Sequence, residues 1–232
     1  LIVADDLGWN DVSFNGSDIS TPSIDSLASQ GVFLNRFYVS PKCSPTRAGV
    51  LTGIYPDRFN LRGYVYSTRY VGGLPPDLTI LPEMLKKAGY NELAAFGKWH
   101  LGHQRQHHPV NRGFHDFFGV LDGGTTYINS DTPGASFASI NSSMTQRAPL
   151  NRPNAVYRNF DEVKVNDYLT DVFTEEAVDF IQKNQHRPFF LFLSHITPHT
   201  PLQTIEKYSR RYEHLSDKRA RIYASMVASL DD

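Results

Sequence analysis

The stretch Cys43-Ser44-Pro45-Thr46-Arg47 holds the only cysteine among 232 residues. Pro45 suits the first turn of a helix, where its missing N–H costs nothing, so Cys43 falls at or just before a helix N-terminus. Unpaired N–H groups and the positive end of the helix dipole favour an anion there, and Arg47, one turn on, offers a bidentate fork to a tetrahedral oxyanion. A lone cysteine is equally at home as a buried structural residue. The adjacent carboxylates Asp5 and Asp6 repel each other unless a cation intervenes, and as hard oxygen donors they suit Ca²⁺ or Mg²⁺. An exposed acidic turn is the alternative. Lys98 and His100, two residues apart, could face one cleft, and His195 and His199 add imidazoles that move protons near neutral pH. His103, His107 and His108 raise the question of a transition metal, but no cysteine or carboxylate cluster with zinc spacing accompanies them. They read as solvated.

The elements that must position these groups follow from pattern. Leu1 to Ala4 reads as a short buried strand delivering Asp5 and Asp6 at its carboxyl end. Thr21 and Pro22 open a helix as N-cap and first-turn proline, Ile24, Leu27 and Ala28 form its stripe, and Gly31 ends it. Val32 to Val39 reads as a strand leading into the Cys43 loop, with a helix from Pro45 to about Thr52. Leu81, Met84, Leu85 and Ala88 recur at helical spacing up to Gly89, and Leu93 to Phe96 reads as a buried strand ending at Lys98. Phe114, Phe117 and Phe118 read as core. Residues 122–160 are rich in Gly, Ser, Thr, Asn and Pro and read as a long loop region, and Tyr64, Tyr66 and Tyr70 form a cluster with no assigned role. Thr170 to Asn184 is a helix with Phe173, Ala177, Phe180 and Ile181 on one stripe. Phe189 to Leu193 is unbroken apolar sequence, typical of a central strand covered on both faces. His195 stands at its end, and prolines flank His199. Thr204 to Leu230 reads as one or two terminal helices with a solvated, mixed-charge face. Strands alternating with helices predict an α/β fold, a mixed, mostly parallel sheet sandwiched between helices.

Composition narrows the partner. Lys plus Arg total 23 against 24 Asp plus Glu, a formal net charge of -1, so there is no electrostatic footprint for nucleic acid or an anionic membrane. A small molecule or glycan fits better. Hydrophobic residues make up 40% and aromatics 12%, ordinary for a chain that buries one core as a single domain. No stretch approaches the roughly 20 apolar residues of a membrane span. The chain starts without Met on a strand-like run, which suggests truncation at the front. One cysteine excludes an internal disulfide and leaves the redox compartment open. Asn15-Gly16-Ser17 and Asn141-Ser142-Ser143 fit the glycosylation triplet.

Four strings together carry a family resemblance. Cys43-Ser44-Pro45-Thr46-Arg47 followed by Leu51-Thr52-Gly53 resembles the signature of the type I sulfatases, members of the alkaline phosphatase superfamily, in which this cysteine is oxidised after translation to Cα-formylglycine. Ala4-Asp5-Asp6-Leu7-Gly8-Trp9 resembles their first metal motif, Gly97-Lys98-Trp99-His100-Leu101-Gly102 the arylsulfatase lysine motif, and Pro198-His199-Thr200-Pro201 the Pro-His-x-Pro motif. The resemblance spans nearly all of this chain but about the first half of a typical member. The later Asp-Asn-Gly metal motif, a further catalytic lysine and a small C-terminal domain have no counterpart. Residues 1–232 are thus expected to form the N-terminal part of one catalytic domain.

The resemblance implies hydrolysis of an aryl or carbohydrate sulfate, with hydrated formylglycine at Cys43 as nucleophile. Asp5, Asp6 and the residue at 43 are implied ligands of Ca²⁺, or of Mg²⁺. Arg47, Lys98 and His199 are implied substrate contacts. His199 would serve the departing alcohol, and His100 would take the proton of the second hydroxyl. A formylglycine-generating enzyme is the implied maturation partner and an extracytoplasmic site, whether periplasmic, secreted or lysosomal, the implied location. Two rivals stand beside this reading: a phosphate or phosphonate ester hydrolase of the same superfamily, and a glycan-binding homologue without catalysis.

Overall fold

The computed structural model describes residues 1–67, 72–138 and 155–232. In chain order its elements are β1 (Ile2–Asp5), α1 (Pro22–Gln30), α2 (Cys43–Thr52), α3 (Leu81–Lys87), β2 (Glu92–Lys98), β3 (Asp116–Val120), β4 (Ala135–Ala138), β5 (Val156–Arg158), β6 (Asp161–Val163), α4 (Leu169–Asn184), β7 (Phe189–Pro198), β8 (Leu202–Ile205), α5 (Glu206–Ser209) and α6 (Lys218–Asp231). Six strands form one sheet in the order β1-β7-β2-β3-β5-β6. The first four are parallel, and β5 and β6 add antiparallel at one edge. β4 and β8 make a separate antiparallel pair.

Side chains alternate across a strand with period two, and the sheet uses both faces. Leu93, Ala95, Phe117 and Phe192 pack with Ala48 and Leu51 of α2 on one side. Ala94, Phe96, Phe118, Leu191 and Leu193 pack with Phe173 and Phe180 of α4 and Met226 of α6 on the other. This is the sandwich that the alternating pattern predicts, with β7 central.

Several expectations need correction. Among the described residues β1 is an edge strand rather than a buried one: it pairs there with β7 alone, and Ile2 is 64% exposed. Val32 to Val39 forms no strand, because none of the described strands offers it a ladder, and both Val32 and Tyr38 are 86% exposed. Thr21 precedes α1 but makes no side-chain cap; its hydroxyl goes to Asp25 instead. The helix N–H groups of Ser23 and Ile24 are satisfied by Asp231 at the far end of α6. His107 and His108 are buried, not solvated. The His107 ring meets the Leu74 carbonyl at 3.0 Å, and His108 lies 4.3 Å from the Phe160 ring, where burial pushes its imidazole down to about 4. Ile181 turns outward from the α4 stripe. Thr204 belongs to β8, ahead of the two terminal helices. Within 122–160, β4 and β5 are strands rather than loop. Residues 139–154, Tyr70 and the Asn141 triplet lie outside the described residues. No helix among the described residues is long and apolar enough to cross a membrane.

Candidate active site

Parallel neighbours deliver their carboxyl ends to one edge. Register pairs Asp5 with Pro198 and Gly97 with Ser194, so the ends of β1, β7 and β2 bring Asp5, Ser194 and Lys98 together. The N-terminus of α2 points into this junction with Cys43 as its first residue.

Arg47, one turn into α2, is the hub. Its Nη1 donates to the Lys98 carbonyl at 2.7 Å and to the Ser194 hydroxyl, and Nη2 meets Asp5 Oδ2 at 3.2 Å. The Lys98 ammonium pairs with the same Asp5 oxygen. Asp5, Arg47 and Lys98 are all buried. Burial alone would raise the Asp5 carboxyl, but Arg47 and then Lys98 outweigh it and hold the group below its usual range. Two cations against one carboxylate leave net positive charge here, the condition for binding an anion. Arg47 Nε has no hydrogen-bond partner among the described residues.

Cys43 Sγ lies 3.1 Å from His100 Nδ1. His100 follows β2 in a left-handed conformation, φ 56°, and its carbonyl accepts from the Ser44 hydroxyl at 2.7 Å. Burial first, then the charges of Lys98 and Arg47, push its imidazole down to about 3, so it is neutral at pH 7. Asp122 Oδ1 stands 3.9 Å from its Nε2, and Gly123 backs the ring so closely that a Cβ there would sit 2.8 Å from Cε1.

Asp6 and His199 form a third pair, 3.6 Å between Oδ2 and Nε2, with Asp6 exposed and left-handed at φ 63°. Asp6 and the thiol of Cys43 both lie close enough to Arg47 to act on its charge. All seven residues singled out from the sequence, Asp5, Asp6, Cys43, Arg47, Lys98, His100 and His199, therefore converge. His195 does not: it faces the opposite side of β7, 6.5 Å from the Phe173 ring, and burial pushes it down to about 4. A cavity of about 380 Å³ lies behind α2, lined by Phe37, Tyr38, Thr46, Gly49 and Tyr55 among others, and none of the seven borders it.

Ser194, Ser44 and Asp122 join the site without having been read from the sequence. Ser194 interrupts an apolar strand beside Leu193, a polar break that marks where the core ends. Asp5 and Asp6 have the donor chemistry of a hard-cation site, but among the described residues no three His, Cys, Asp or Glu side chains converge on a metal position. The described residues fit part of a ligand shell and do not complete one.

The Sulfatase family model matches residues 1–232, and the chain belongs to that family. It is 34% identical to N-acetylgalactosamine-6-sulfatase of Mus musculus over 249 residues, covering 100% of this chain and 44% of that protein. Against Arylsulfatase J of Mus musculus the identity is 33% over 237 residues, covering 100% and 37%. The crystal structure of Ps i-CgsB superposes with a TM-score of 0.85 at 36% identity, covering 99% of this chain and 51% of that one. The chain thus spans about half the length, or less, of the relatives it matches.

Proposed function

We propose that the protein to which these residues belong hydrolyses sulfate esters, and that residues 1–232 are the N-terminal part of its one catalytic domain. The observation that carries the reading is the placement of Cys43, at a helix N-terminus 3.1 Å from a neutral imidazole and beside the buried cations Arg47 and Lys98. Oxidised to formylglycine and hydrated, the residue at 43 supplies an oxygen nucleophile. Arg47, Lys98 and the free N–H groups of α2 hold the equatorial oxygens of the sulfate, a preorganised field that gains most as charge develops on them. His199 gives a proton to the departing oxygen from Nε2, the nitrogen that its backbone bond leaves free. His100 accepts the proton of the second hydroxyl through Nδ1. Asp5 and Asp6 would hold Ca²⁺, or Mg²⁺, together with an oxygen at position 43, and the ion would add positive charge opposite the sulfate.

A sulfated glycan or small sulfated molecule is the substrate class, acted on outside the cytoplasm as the family resemblance implies. Ps i-CgsB, 37% identical in a second structure, binds k-i-k-neocarrahexaose, which supports an oligosaccharide. The test is the mass of the Cys43 peptide after co-expression with a formylglycine-generating enzyme, alongside turnover of an aryl sulfate by the complete protein. A lighter peptide with a hydrazide-reactive aldehyde and release of sulfate are expected. An intact thiol under those conditions removes the nucleophile and the proposal with it.

A further inference from the structure

His199 is the first residue after β7 and opens the turn to β8. Its ring Nδ1 lies 2.6 Å from the Thr200 carbonyl, and since a carbonyl only accepts, Nδ1 carries the hydrogen. Nε2 is left facing Asp6 and the cleft. This bond orients the ring relative to its own backbone, but the backbone needs an anchor.

The His199 N–H donates to the Ile196 carbonyl at 2.9 Å, and its carbonyl accepts from the hydroxyl of Tyr127 at 2.6 Å, the one side chain that holds this peptide among the described residues. Tyr127 is itself held from three sides. Its N–H donates to Gln203 Oε1 at 2.6 Å, and its carbonyl accepts from the first residue of α4, Leu169, at 2.9 Å. Its ring lies 5.9 Å from that of Tyr168, whose hydroxyl donates to the Gln203 carbonyl at 3.0 Å. Tyr127, Tyr168 and Gln203 are all buried. Burial keeps the Tyr127 phenol well above the ordinary tyrosine range, so it stays a donor.

We propose that Tyr127 is the positioning residue of His199, fixing Nε2 at the leaving oxygen, and that Gln203 in turn fixes Tyr127. The inference rests on the reading of His199 given above. As the S–O bond breaks, its electron pair passes to the leaving oxygen and takes up the Nε2 proton of the imidazolium form of His199, which leaves the neutral ring with its hydrogen on Nδ1. Proton transfer needs heavy atoms within roughly 3 Å of each other, and a displacement of about 1 Å costs on the order of 10²-fold. A phenol that touches neither substrate nor imidazole therefore controls the step through the peptide it holds.

The test uses the complete, aldehyde-bearing protein with Tyr127→Phe, His199→Ala and the double variant, assayed on phenyl sulfate and 4-nitrophenyl sulfate. Phenolate leaves poorly and needs the proton, whereas 4-nitrophenolate leaves without it. Tyr127→Phe is expected to lower kcat on phenyl sulfate about 10- to 100-fold with KM nearly unchanged, to leave 4-nitrophenyl sulfate little affected, and to add nothing to His199→Ala. An equal loss on both substrates, no loss, or a loss that multiplies with His199→Ala overturns the proposal. If Tyr127→Phe folds poorly by circular dichroism, Gln203→Leu takes its place, with the same leaving-group signature expected. His199→Ala without leaving-group dependence overturns the role of His199 and the proposal with it. No turnover by the unmutated protein overturns the sulfatase reading itself.

Discussion

Lys98 would serve twice in the proposed enzyme. Its motif implies a sulfate contact, and its ammonium also pairs, fully buried, with Asp5 beside Arg47. Breaking a buried pair leaves an uncompensated charge and typically costs about 3–5 kcal/mol. Lys98→Ala is therefore expected to lower both turnover, by about 10²-fold or more, and the urea midpoint of the complete protein. Stability at the wild-type level would mean that Arg47 alone neutralises Asp5. Histidines make a second residue-scale prediction. Burial holds His195 and His108 near 4, so the native state stays unprotonated while the unfolded chain takes up protons near 6.5. Their neutral burial is compatible with full stability above about pH 6.5, and stability should decline as pH falls from there to about 4. Chemical denaturation at a series of pH values checks it, and His195→Leu should flatten the slope in that window.

At the scale of elements, β2 can carry Lys98 into the site because of Gly97. Its φ is 100°, and a Cβ there would run into the Ser194 carbonyl of β7. Gly97→Ala should cost at least about 1–3 kcal/mol from backbone strain alone, read as a lowered melting temperature, and should separate β2 from β7 where the site is built. Asp231 caps α1 from α6, so Asp231→Ala should cost about 0.5–2 kcal/mol, whereas Thr21→Val should act through its Ser13 and Asp25 contacts. The helices α3 and α4 and the strands β2 and β7 were legible because local period dictates them. The seven candidate residues could be singled out because each lies in a string that resembles a family motif, and the fold brings them to one junction. The Asp231 cap, the failed strand at 32–39 and the support of His199 by Tyr127 were not, since each depends on a partner far away in sequence. Thr21 looked like a cap by type, and the fold spent its hydroxyl on Asp25 instead.

At the scale of the whole molecule, the described residues leave a group of aromatic side chains exposed. Trp9, Phe14 and Phe33 cluster in the open, with ring centroids 5.6 and 5.5 Å apart, and β1 has one unpaired edge among the described strands. Such edges and patches promote association. Expressed alone, these residues should self-associate in light scattering and bind Ca²⁺ poorly by calorimetry, since Asp5, Asp6 and position 43 do not reach the roughly six to eight ligands that Ca²⁺ takes. Asp231 and Asp232 cannot make up the difference: one is committed to α1, the other to Arg211. Micromolar affinity from a monomer would contradict both expectations. The pairing of β1 with β7 also sets a timetable. Ile2 waits for Leu193, so the first strand has no neighbour until nearly all of these residues have been made. At about 5–20 residues per second this delay lasts roughly 10–40 s. Long-range parallel pairing of this kind is slow in any case. Arg47 cannot find Ser194 before then, so the last of its hydrogen bonds waits for β7, while those to Asp5 and the Lys98 carbonyl need only the first half of these residues.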